Sequence, residues 1–355
     1  METMMQTLIK KQLKNWAISC ASLIALTCIA PANAQTLEFA SVFPESDFSS
    51  LSVKHWTEGV TKATEGRIKF RIHWSGSLVG NKMVDAMRDG VVDAALSFTP
   101  YVSGEIIDLA GFDVPFSFPL DPKGLGAFNR EVLPLVDKIY EKRGSRAVSA
   151  PPALLPDPIT CRDRFLSNPE QWKGVKLRTA GRWQAETIKR WGGSPVVFAP
   201  AELYNALDLG TVNCTLMIYS GILSLKLYEP AKFITRVDHS IAFATINISN
   251  DRWKRLSEAD RAIMLKVGQE TMDWGLIAYT QGYEQTMKTL AERGAKFCVP
   301  KQAEFDRLVA AATDVFDKEI SPKTSADGTR IIELIKRYRP QVLARPQVGD
   351  ISECP

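Results

Sequence analysis

Hydrophobic positions in the first third of the chain alternate between strand and helix spacing. Residues 37–41 and 68–74 show a period of two, which is typical of strands, and residues 50–65 between them show helical spacing. A short helix over 81–89 and a strand over 91–98 follow. This β-α-β-α-β order predicts a mainly parallel sheet.

The same order of elements begins again in the middle of the chain. We predict a strand over 175–179, a helix over 182–191, a strand over 195–198, a helix from Pro200 to Gly210, and a strand over 212–218. We therefore expect an α/β fold of two similar lobes, with a ligand cleft between them.

A weak internal repeat supports this interpretation. Residues 85–96 align without a gap on residues 205–216, and the identical pairs are Ala86/Ala206, Gly90/Gly210, Val92/Val212 and Leu96/Leu216. Each copy is typical of the end of a helix, a glycine in a left-handed conformation, and a short buried strand. Because such units are common, a chance match is the alternative.

A very long helix is predicted in the last third of the chain. Ser257 fits an N-cap, and helix-compatible sequence continues to Gly294. At 1.5 Å per residue this helix would measure about 54 Å, enough to extend along both lobes. Gly268, Gly275 and Gly282 would allow bends. Two further helices are predicted after it.

Residues 1–34 are typical of a signal peptide. Three lysines precede an uncharged segment over 16–30, which is shorter than the roughly 20 residues that cross a bilayer. Small residues at Ala32 and Ala34 predict cleavage near Ala34, so we expect a periplasmic protein. An uncleaved membrane anchor, or a lipoprotein attached at Cys20 or Cys28, is the alternative.

The charge balance argues against polyanionic partners. The 355 residues carry a net charge of +4, and removal of the signal peptide, with three lysines and one glutamate, would leave +2. Such a small excess argues against a nucleic-acid partner or a polybasic membrane contact.

Four cysteines remain after the predicted cleavage: Cys161, Cys214, Cys298 and Cys354. Their spacing excludes a CxxC metal or redox motif. An even number in an oxidising compartment favours disulfides, for which three pairings are possible. We favour Cys161–Cys214 and Cys298–Cys354, with free buried thiols as the alternative.

Motifs for catalysis, metal binding and cofactor binding are absent from the sequence. It contains no GxSxG, HExxH, Walker A or GxGxxG pattern, and His55, His73 and His239 are far apart and suggest no ligand set. We therefore predict no catalytic residue, no metal, no cofactor and no enzyme activity.

The clearest local signal for ligand binding is residues 174–178. Val175 and Leu177 would face the core, which places Lys176 and Arg178 on the opposite face of the strand. Arg178 lies near the C-terminal end of this strand, where open α/β sheets bind ligands. A guanidinium there can hold a carboxylate by two parallel hydrogen bonds. Spacing alone leaves a structural ion pair as the alternative.

Six segments in the same order resemble one protein family. They are 64–70 with 77–80, 89–93 (DGVVD), 113–118 (DVPFSF), 172–178 (WKGVKLR), 193–207 and 238–240. They are similar to segments of the solute-binding proteins of tripartite ATP-independent periplasmic (TRAP) transporters, the dicarboxylate-binding-protein (DctP) type.

This resemblance implies a periplasmic-binding-protein fold, in which two α/β lobes are joined by crossing strands and a long helix runs along both. We expect the first lobe over 35–155 plus 243–282 and the second over 156–242 plus 283–325. A C-terminal helix and tail would occupy 326–355.

The resemblance also implies a function. Members of the family bind organic acids and close around them, and Arg178 would pair with the ligand carboxylate. Further residues expected at the cleft are Phe98, Thr99, Tyr101, Phe116, Trp183, Pro200 and Met217. For each apolar residue, ordinary core packing is the alternative. The implied partners are a small carboxylate ligand and the integral membrane subunits of a TRAP transporter, and we expect a monomer.

The sequence departs from the family pattern in three places. Residues 212–214 are Val-Asn-Cys where the family usually has Val-Asp-Gly. Four prolines within 151–158 lie where some relatives carry a second carboxylate-binding arginine, and Met217 is apolar where many relatives have asparagine. We therefore expect a monocarboxylate with an apolar or aromatic body. A secreted enzyme on a two-lobe scaffold and a periplasmic sensor without a transport role are the alternative functions.

Overall fold

Two mixed β-sheets form the framework of the fold. The computed structural model describes residues 34–239, 242–341, 346 and 351–355, and the described residues from Thr36 onward belong to one compact unit. The strands are β1 (Gln35–Ala40), β2 (Ile68–His73), β3 (Ala94–Phe98), β4 (Ser145–Ser149), β5 (Asp157–Cys161), β6 (Lys176–Thr179), β7 (Ser194–Val197), β8 (Cys214–Leu216), β9 (Phe233–His239), β10 (Ala244–Ser249) and β11 (Lys296–Cys298).

Helices connect most of these strands. They are α1 (Phe48–Ala63), α2 (Met83–Arg88), α3 (Pro122–Glu141), α4 (Pro169–Trp172), α5 (Arg182–Trp191), α6 (Leu203–Asp208), α7 (Tyr219–Ser224), α8 (Asn250–Arg255), α9 (Glu258–Glu292), α10 (Gln302–Asp314) and α11 (Ala326–Tyr338). Short 3-10 turns occupy Thr99–Tyr101, Ile107–Asp113 and Pro200–Glu202. Parallel strand pairs linked by helices confirm the predicted α/β class.

The chain moves back and forth between the two sheets. The first has the order β2-β1-β3-β10-β4 and the second the order β11-β9-β5-β8-β6-β7. β10 pairs antiparallel with β3 and β4, and β5 pairs antiparallel with β8 and β9. The chain passes to the second sheet between β4 and β5, and it returns between β9 and β10. This arrangement confirms a two-lobe fold, and the predicted residue boundaries of the lobes stay a prediction.

The internal repeat is reproduced in the backbone. Gly90 and Gly210 both have positive φ, 75° and 74°. The amide of Val92 donates to the carbonyl of Ala86 at 3.3 Å, and the amide of Val212 donates to the carbonyl of Ala206 at 3.2 Å. The two copies therefore fold alike, as helix–turn–strand units of the first and second sheets.

One polar position of the repeat has the same role in both copies. Asp93 Oδ2 accepts a hydrogen bond from the amide of Glu38 in β1, and Asn213 Oδ1 accepts one from the amide of Lys176 in β6, both at 2.9 Å. In return, the amides of Asp93 and Asn213 donate to the carbonyls of Glu38 and Lys176. Asn213 thus fixes the strand that carries Arg178.

The predicted long helix is α9, with 35 residues. Ser257 Oγ accepts from the amide of Asp260 at 3.1 Å, which confirms the predicted N-cap. A Cβ atom on Gly268 would lie 2.3 Å from the carbonyl oxygen of Val148, and one on Gly282 would lie 2.4 Å from the ring of Phe48. The structure therefore gives these glycines a packing role, where the sequence suggested bends.

Both favoured disulfides are present, so the alternative of free thiols is wrong. Cys161–Cys214 joins the end of β5 to the start of β8, with Cα atoms 4.0 Å apart. Cys298–Cys354 joins β11 to the C-terminal tail. The amide of Cys354 also donates to the carbonyl of Val299 at 2.9 Å.

The predicted signal peptide lies outside the described residues, apart from Ala34. The same holds for its alternatives at Cys20 and Cys28, and for Ser240. In the part of the chain that the structure does describe, no helix is long and apolar enough to cross a membrane.

Candidate functional site

A cavity lies where the C-terminal ends of strands from both sheets meet. The volume of this cavity is about 30 Å³. Segments at the ends of β1 and β3 form one side, and segments at the ends of β6 and β8 form the other. The β4–β5 and β9–β10 connections between the sheets close it. The lining residues are Phe43, Phe98, Pro100, Tyr101, Leu154, Arg178, Ala180, Met217, Ile218 and Ala242.

Arg178 is held rigidly at this cavity. Its side chain is 1% exposed. Nε and Nη2 donate to the carbonyl oxygen of Phe198 at 3.0 and 2.9 Å, and Nη1 donates to the carbonyl oxygen of Leu216 at 3.3 Å. Carbonyl acceptors orient the guanidinium without neutralising its charge. Asp157 acts on it electrostatically but forms no hydrogen bond with it, so the structural ion pair considered from the sequence is not found among the described residues.

Arg178 retains hydrogen-bonding capacity for an anion. A guanidinium has five N–H donors; the two carbonyls engage three of them, and the hydroxyl of Tyr101 also accepts from the guanidinium. The hydroxyl of Tyr101 lies next to the guanidinium, and this contact opposes the rise that burial causes in the pKa of Tyr101. Burial lowers the pKa of Arg178, while Tyr101 and Asp157 raise it. The arrangement suits a carboxylate that enters from the cavity.

Four of the residues predicted at the cleft come together here: Phe98, Tyr101, Arg178 and Met217. Phe98 and Tyr101 are in edge-to-face contact, with ring centroids 6.2 Å apart. Six further residues line the cavity and were not predicted from the sequence: Phe43, Pro100, Leu154, Ala180, Ile218 and Ala242. The one feature that could have identified them in the sequence is their position, because most of them follow a strand closely or lie in a connection between the sheets.

Thr99 and Pro200 are not among the lining residues. Thr99 is buried, and its Oγ1 accepts from the amide of Phe243 at 2.9 Å, which ties the end of β3 to the segment before β10. Pro200 is buried at the start of a 3-10 turn, which fits its predicted role in opening a helix.

Phe116 lies in an aromatic cluster of the core and not on the cavity wall. Its ring centroid is 5.3 Å from that of His239, 5.5 Å from that of Phe305 and 6.4 Å from that of Trp191. The backbone of Phe116 has a φ of 64°, which is unusual for a non-glycine residue. The chain turns here, so the ring points into the core.

Trp183 anchors α5 and does not reach the cavity wall. Its indole Nε1 donates to the carbonyl of Ser103 at 3.1 Å. Its amide donates to Asp113 Oδ2 at 3.0 Å, so Asp113 caps the helix that begins just after Arg178. Gly181 makes this possible, because a Cβ atom there would lie 2.4 Å from Asp113 Oδ2. Burial raises the pKa of Asp113 well above its usual value.

Asp157 is a buried carboxyl group close to the site. It is 0% exposed, and neither of its carboxyl oxygens has a hydrogen-bond partner in the described part of the molecule. Burial raises its pKa well above the usual value, Arg178 lowers it, and Asp238 raises it further. Its ionised form is therefore destabilised in the folded protein.

We expect Asp157→Asn to raise the melting temperature at pH 8 by about 2–6 °C, because at this pH the folded protein must either bury the carboxylate without a partner or hold a proton on it, at a cost of about 1–3 kcal/mol. A carboxyl group whose folded pKa is raised contributes its full stability at pH 4, and it loses this as the pH rises through the folded pKa. The gain should therefore vanish near pH 4 in calorimetric scans.

The matched control is Asp163→Asn, because Asp163 is exposed and pairs with Arg164 at the surface. It should shift the melting temperature by less than about 1 °C at either pH. If Asp157→Asn lowers the melting temperature equally at pH 4 and pH 8, the carboxyl group of Asp157 does not destabilise the folded protein at high pH.

The chemistry of the site fits anion binding. Within the described ranges, the lining residues supply one guanidinium and one phenol, and no group of three or more His, Cys, Asp or Glu side chains is placed to hold a metal ion. A fixed cation in an apolar enclosure favours a carboxylate, because the interaction strengthens in a low dielectric.

The known sequences that resemble this chain include solute-binding proteins. The model of DctP, described as bacterial extracellular solute-binding protein, family 7, matches residues 39–322. The 2,3-diketo-L-gulonate-binding periplasmic protein of Escherichia coli is 21% identical over 310 residues, covering 86% of this chain and 94% of its own. A solute-binding protein of a Sulfitobacter species is 27% identical over 271 residues, covering 73% and 79%.

Solved structures show the same fold. An extracytoplasmic solute receptor of Bordetella pertussis that binds pyroglutamic acid matches with a TM-score of 0.79 at 17% identity, covering 85% of this chain and 100% of its own. A TRAP periplasmic solute-binding protein of Ralstonia eutropha with bound (S)-2-acetolactate matches with a TM-score of 0.77 at 24% identity, covering 85% and 99%. Because the family model spans most of the sequence, the chain belongs to the DctP family, the bacterial extracellular solute-binding proteins of family 7.

Proposed function

We propose that this protein is a periplasmic receptor that binds a small organic acid between its two lobes and delivers it to a TRAP transporter. The observation that carries the proposal is Arg178, a buried guanidinium at the cavity with donors left for an anion. Family membership supports solute binding, and the matched proteins with bound galacturonate, pyroglutamic acid and (S)-2-acetolactate are all receptors for carboxylic acids.

In this proposal Arg178 pairs with the ligand carboxylate, and Phe98, Tyr101 and Met217 contact the ligand body. Phe98 and Tyr101 belong to the first sheet's side of the cavity and Arg178 and Met217 to the second. A ligand that touches both sides stabilises the closed arrangement, because it binds that arrangement better than the open one.

The remaining assignments complete the proposal. The signal peptide is removed near Ala34, the mature protein is a monomer in the periplasm, and the lobes have the boundaries given above. The partners are the integral membrane subunits of the transporter, which recognise the closed form. Genes for two such subunits next to this gene, and loss of uptake when they are deleted, would distinguish a transport receptor from a sensor.

Native mass spectrometry of protein purified from the periplasm of its own host tests the proposal. We expect a one-to-one complex whose extra mass is that of an organic acid, and the acid should be recovered chemically unchanged after release. Recovery of a converted product would instead support the enzyme alternative. Retention of a cation or a neutral sugar in place of an acid would refute the assigned role of Arg178.

A further inference from the structure

The walls of the cavity carry very few polar groups. Of its lining residues in the described ranges, only Arg178 is charged, and only Tyr101 brings a side-chain hydroxyl. The other lining side chains are aromatic, aliphatic, proline or methionine. The cavity therefore offers one strong site for an anion and otherwise an apolar surface.

This composition is unsuited to a ligand with many hydroxyl groups. Each hydroxyl that enters the cavity loses its hydrogen bonds to water and needs a protein partner in exchange. A buried hydroxyl without a partner lowers affinity by about ten-fold or more. An apolar ligand body, in contrast, gains affinity by leaving water.

Met217 determines the polarity of the wall next to Arg178. It follows Leu216, whose carbonyl oxygen accepts from Arg178 Nη1, and it is 3% exposed. Gly221 leaves room for the thioether, because a Cβ atom there would lie 2.6 Å from Met217 Sδ. A ligand held by Arg178 therefore meets an adaptable apolar group at this position.

We propose that the cavity selects small monocarboxylates with an apolar body, and that Met217 is a specificity-determining residue. The inference rests on the proposed function and adds the chemical class of the ligand. A second carboxylate would be buried without a counter-charge from the described lining residues, which strongly disfavours dicarboxylates. The class differs from the galacturonate and D-erythronate found in two of the similar structures.

Leu154 limits the length of the ligand. Leu154 and Ala242 also line a second cavity, which has a volume of about 20 Å³ and whose other walls include Phe118, Phe243 and Pro152. One layer of side chains thus separates two largely apolar cavities. A ligand body that extends past Leu154 would have to displace this layer, so short acids are favoured.

Titration calorimetry tests the ligand class. The protein is first stripped of co-purified ligand by unfolding and refolding with its disulfides intact. The apolar probes are phenylacetate, 4-methyl-2-oxopentanoate and hexanoate, and the polar probes are D-galacturonate, D-erythronate and succinate. We expect at least one apolar acid to bind about 100-fold more tightly than every polar acid, as two or more unpartnered hydroxyls or a second buried charge would require.

Two outcomes would overturn the inference: a polar acid that binds as tightly as the best apolar acid, or no binding by any of the apolar acids. Neither outcome refutes the proposed function if an organic acid is found in the natively purified protein. Only the absence of a trapped acid, together with no binding by any probe, would reject both.

Met217→Asn tests the assigned residue. It should weaken binding of the best apolar acid about ten-fold or more, because an amide replaces the apolar side chain of the wall. The difference in affinity between this acid and D-erythronate should become smaller. The matched control is Leu209→Asn, since Leu209 is 80% exposed and does not line the cavity. Equal affinity profiles for Met217→Asn and the unmodified protein would contradict the assignment.

Leu154→Ala provides a second test that does not depend on the polarity of the wall. It should open the cavity toward its neighbour and shift the preference from hexanoate toward octanoate. Leu155→Ala is the control, because Leu155 is buried but lines neither cavity. It should lower the melting temperature without changing the preferred chain length. An unchanged preference in Leu154→Ala would show that Leu154 does not limit the ligand.

Discussion

Arg178→Ala is expected to weaken binding of the organic acid by about 30-fold or more. Removing one partner of a buried charge pair leaves the other charge without compensation, which typically costs about 2–5 kcal/mol. Arg178→Lys should recover only part of the affinity, because an ammonium group lacks the planar fork that binds a carboxylate through two parallel hydrogen bonds. Titration calorimetry with the acid identified by native mass spectrometry measures both effects.

The matched control for this prediction is Lys176→Ala. Lys176 lies two residues earlier on β6, and its side chain is exposed. Both variants lower the net charge by one, so a general electrostatic effect would weaken binding equally in the two. We expect Lys176→Ala to bind like the unmodified protein. Equal losses in the two variants would contradict a direct role for Arg178.

Arg178→Ala should also lower the stability of the ligand-free protein. The guanidinium satisfies the carbonyl oxygens of Phe198 and Leu216, and the variant would leave both without this donor. The sequence does not identify these two carbonyl acceptors, so this effect on stability could not be predicted from it. The structure therefore predicts two separate losses, one in affinity and one in melting temperature.

The second large effect is expected from removal of the Cys161–Cys214 disulfide. The two cysteines are 53 residues apart, and the chain-entropy relation gives about 4 kcal/mol for a loop of this length. The Cys161→Ala/Cys214→Ala double variant should therefore melt about 8 °C lower than the unmodified protein in calorimetric scans.

The second disulfide is the natural control, because Cys298 and Cys354 are 56 residues apart. Its removal should lower the melting temperature by a similar amount but leave ligand affinity unchanged, since it joins β11 to the tail. Removal of Cys161–Cys214 should weaken binding as well, because Cys214 begins the strand whose Leu216 carbonyl orients Arg178. A melting temperature unchanged in the first variant would contradict this account.

The sequence predicted those parts of the fold that local patterns determine. The repeat around Gly90 and Gly210 was found because each glycine must adopt a positive φ after a helix, which few other residues do readily. The start of α9 was found because Ser257 is both the last residue before the hydrophobic pattern and a good N-cap. The equivalence of Asp93 and Asn213 was visible, but their hydrogen bonds to neighbouring strands were not.

Elements whose pattern is interrupted by proline were missed. α3 begins with Pro122 after the N-cap Asp121, and Pro134 lies inside it. No helix was predicted over these residues, although proline is favourable in the first turn of a helix. β5 follows the proline-rich connection and is buried along its whole length, so its residues do not show the alternation of a half-exposed strand.

The candidate site was predicted only in part, because contacts across two sheets leave little trace in sequence. Arg178 could be found, because it lies near the C-terminal end of a predicted strand and its segment, 172–178, resembles a segment of the family. Phe116 and Trp183 were assigned to the cleft from their segments, but the structure places them in an aromatic cluster and at the start of α5. Phe43 and Leu154 line the cavity and have no distinguishing pattern.

A crystal structure of the protein with its co-purified ligand tests the central claim most directly. We expect the ligand in the cavity between the sheets, with its carboxylate oxygens about 2.7–2.9 Å from guanidinium nitrogens of Arg178 and its apolar body against Met217. The carbonyls of Phe198 and Leu216 should still orient the guanidinium. A ligand bound elsewhere, or an Arg178 side chain that contacts only solvent and the two carbonyls, would contradict the account.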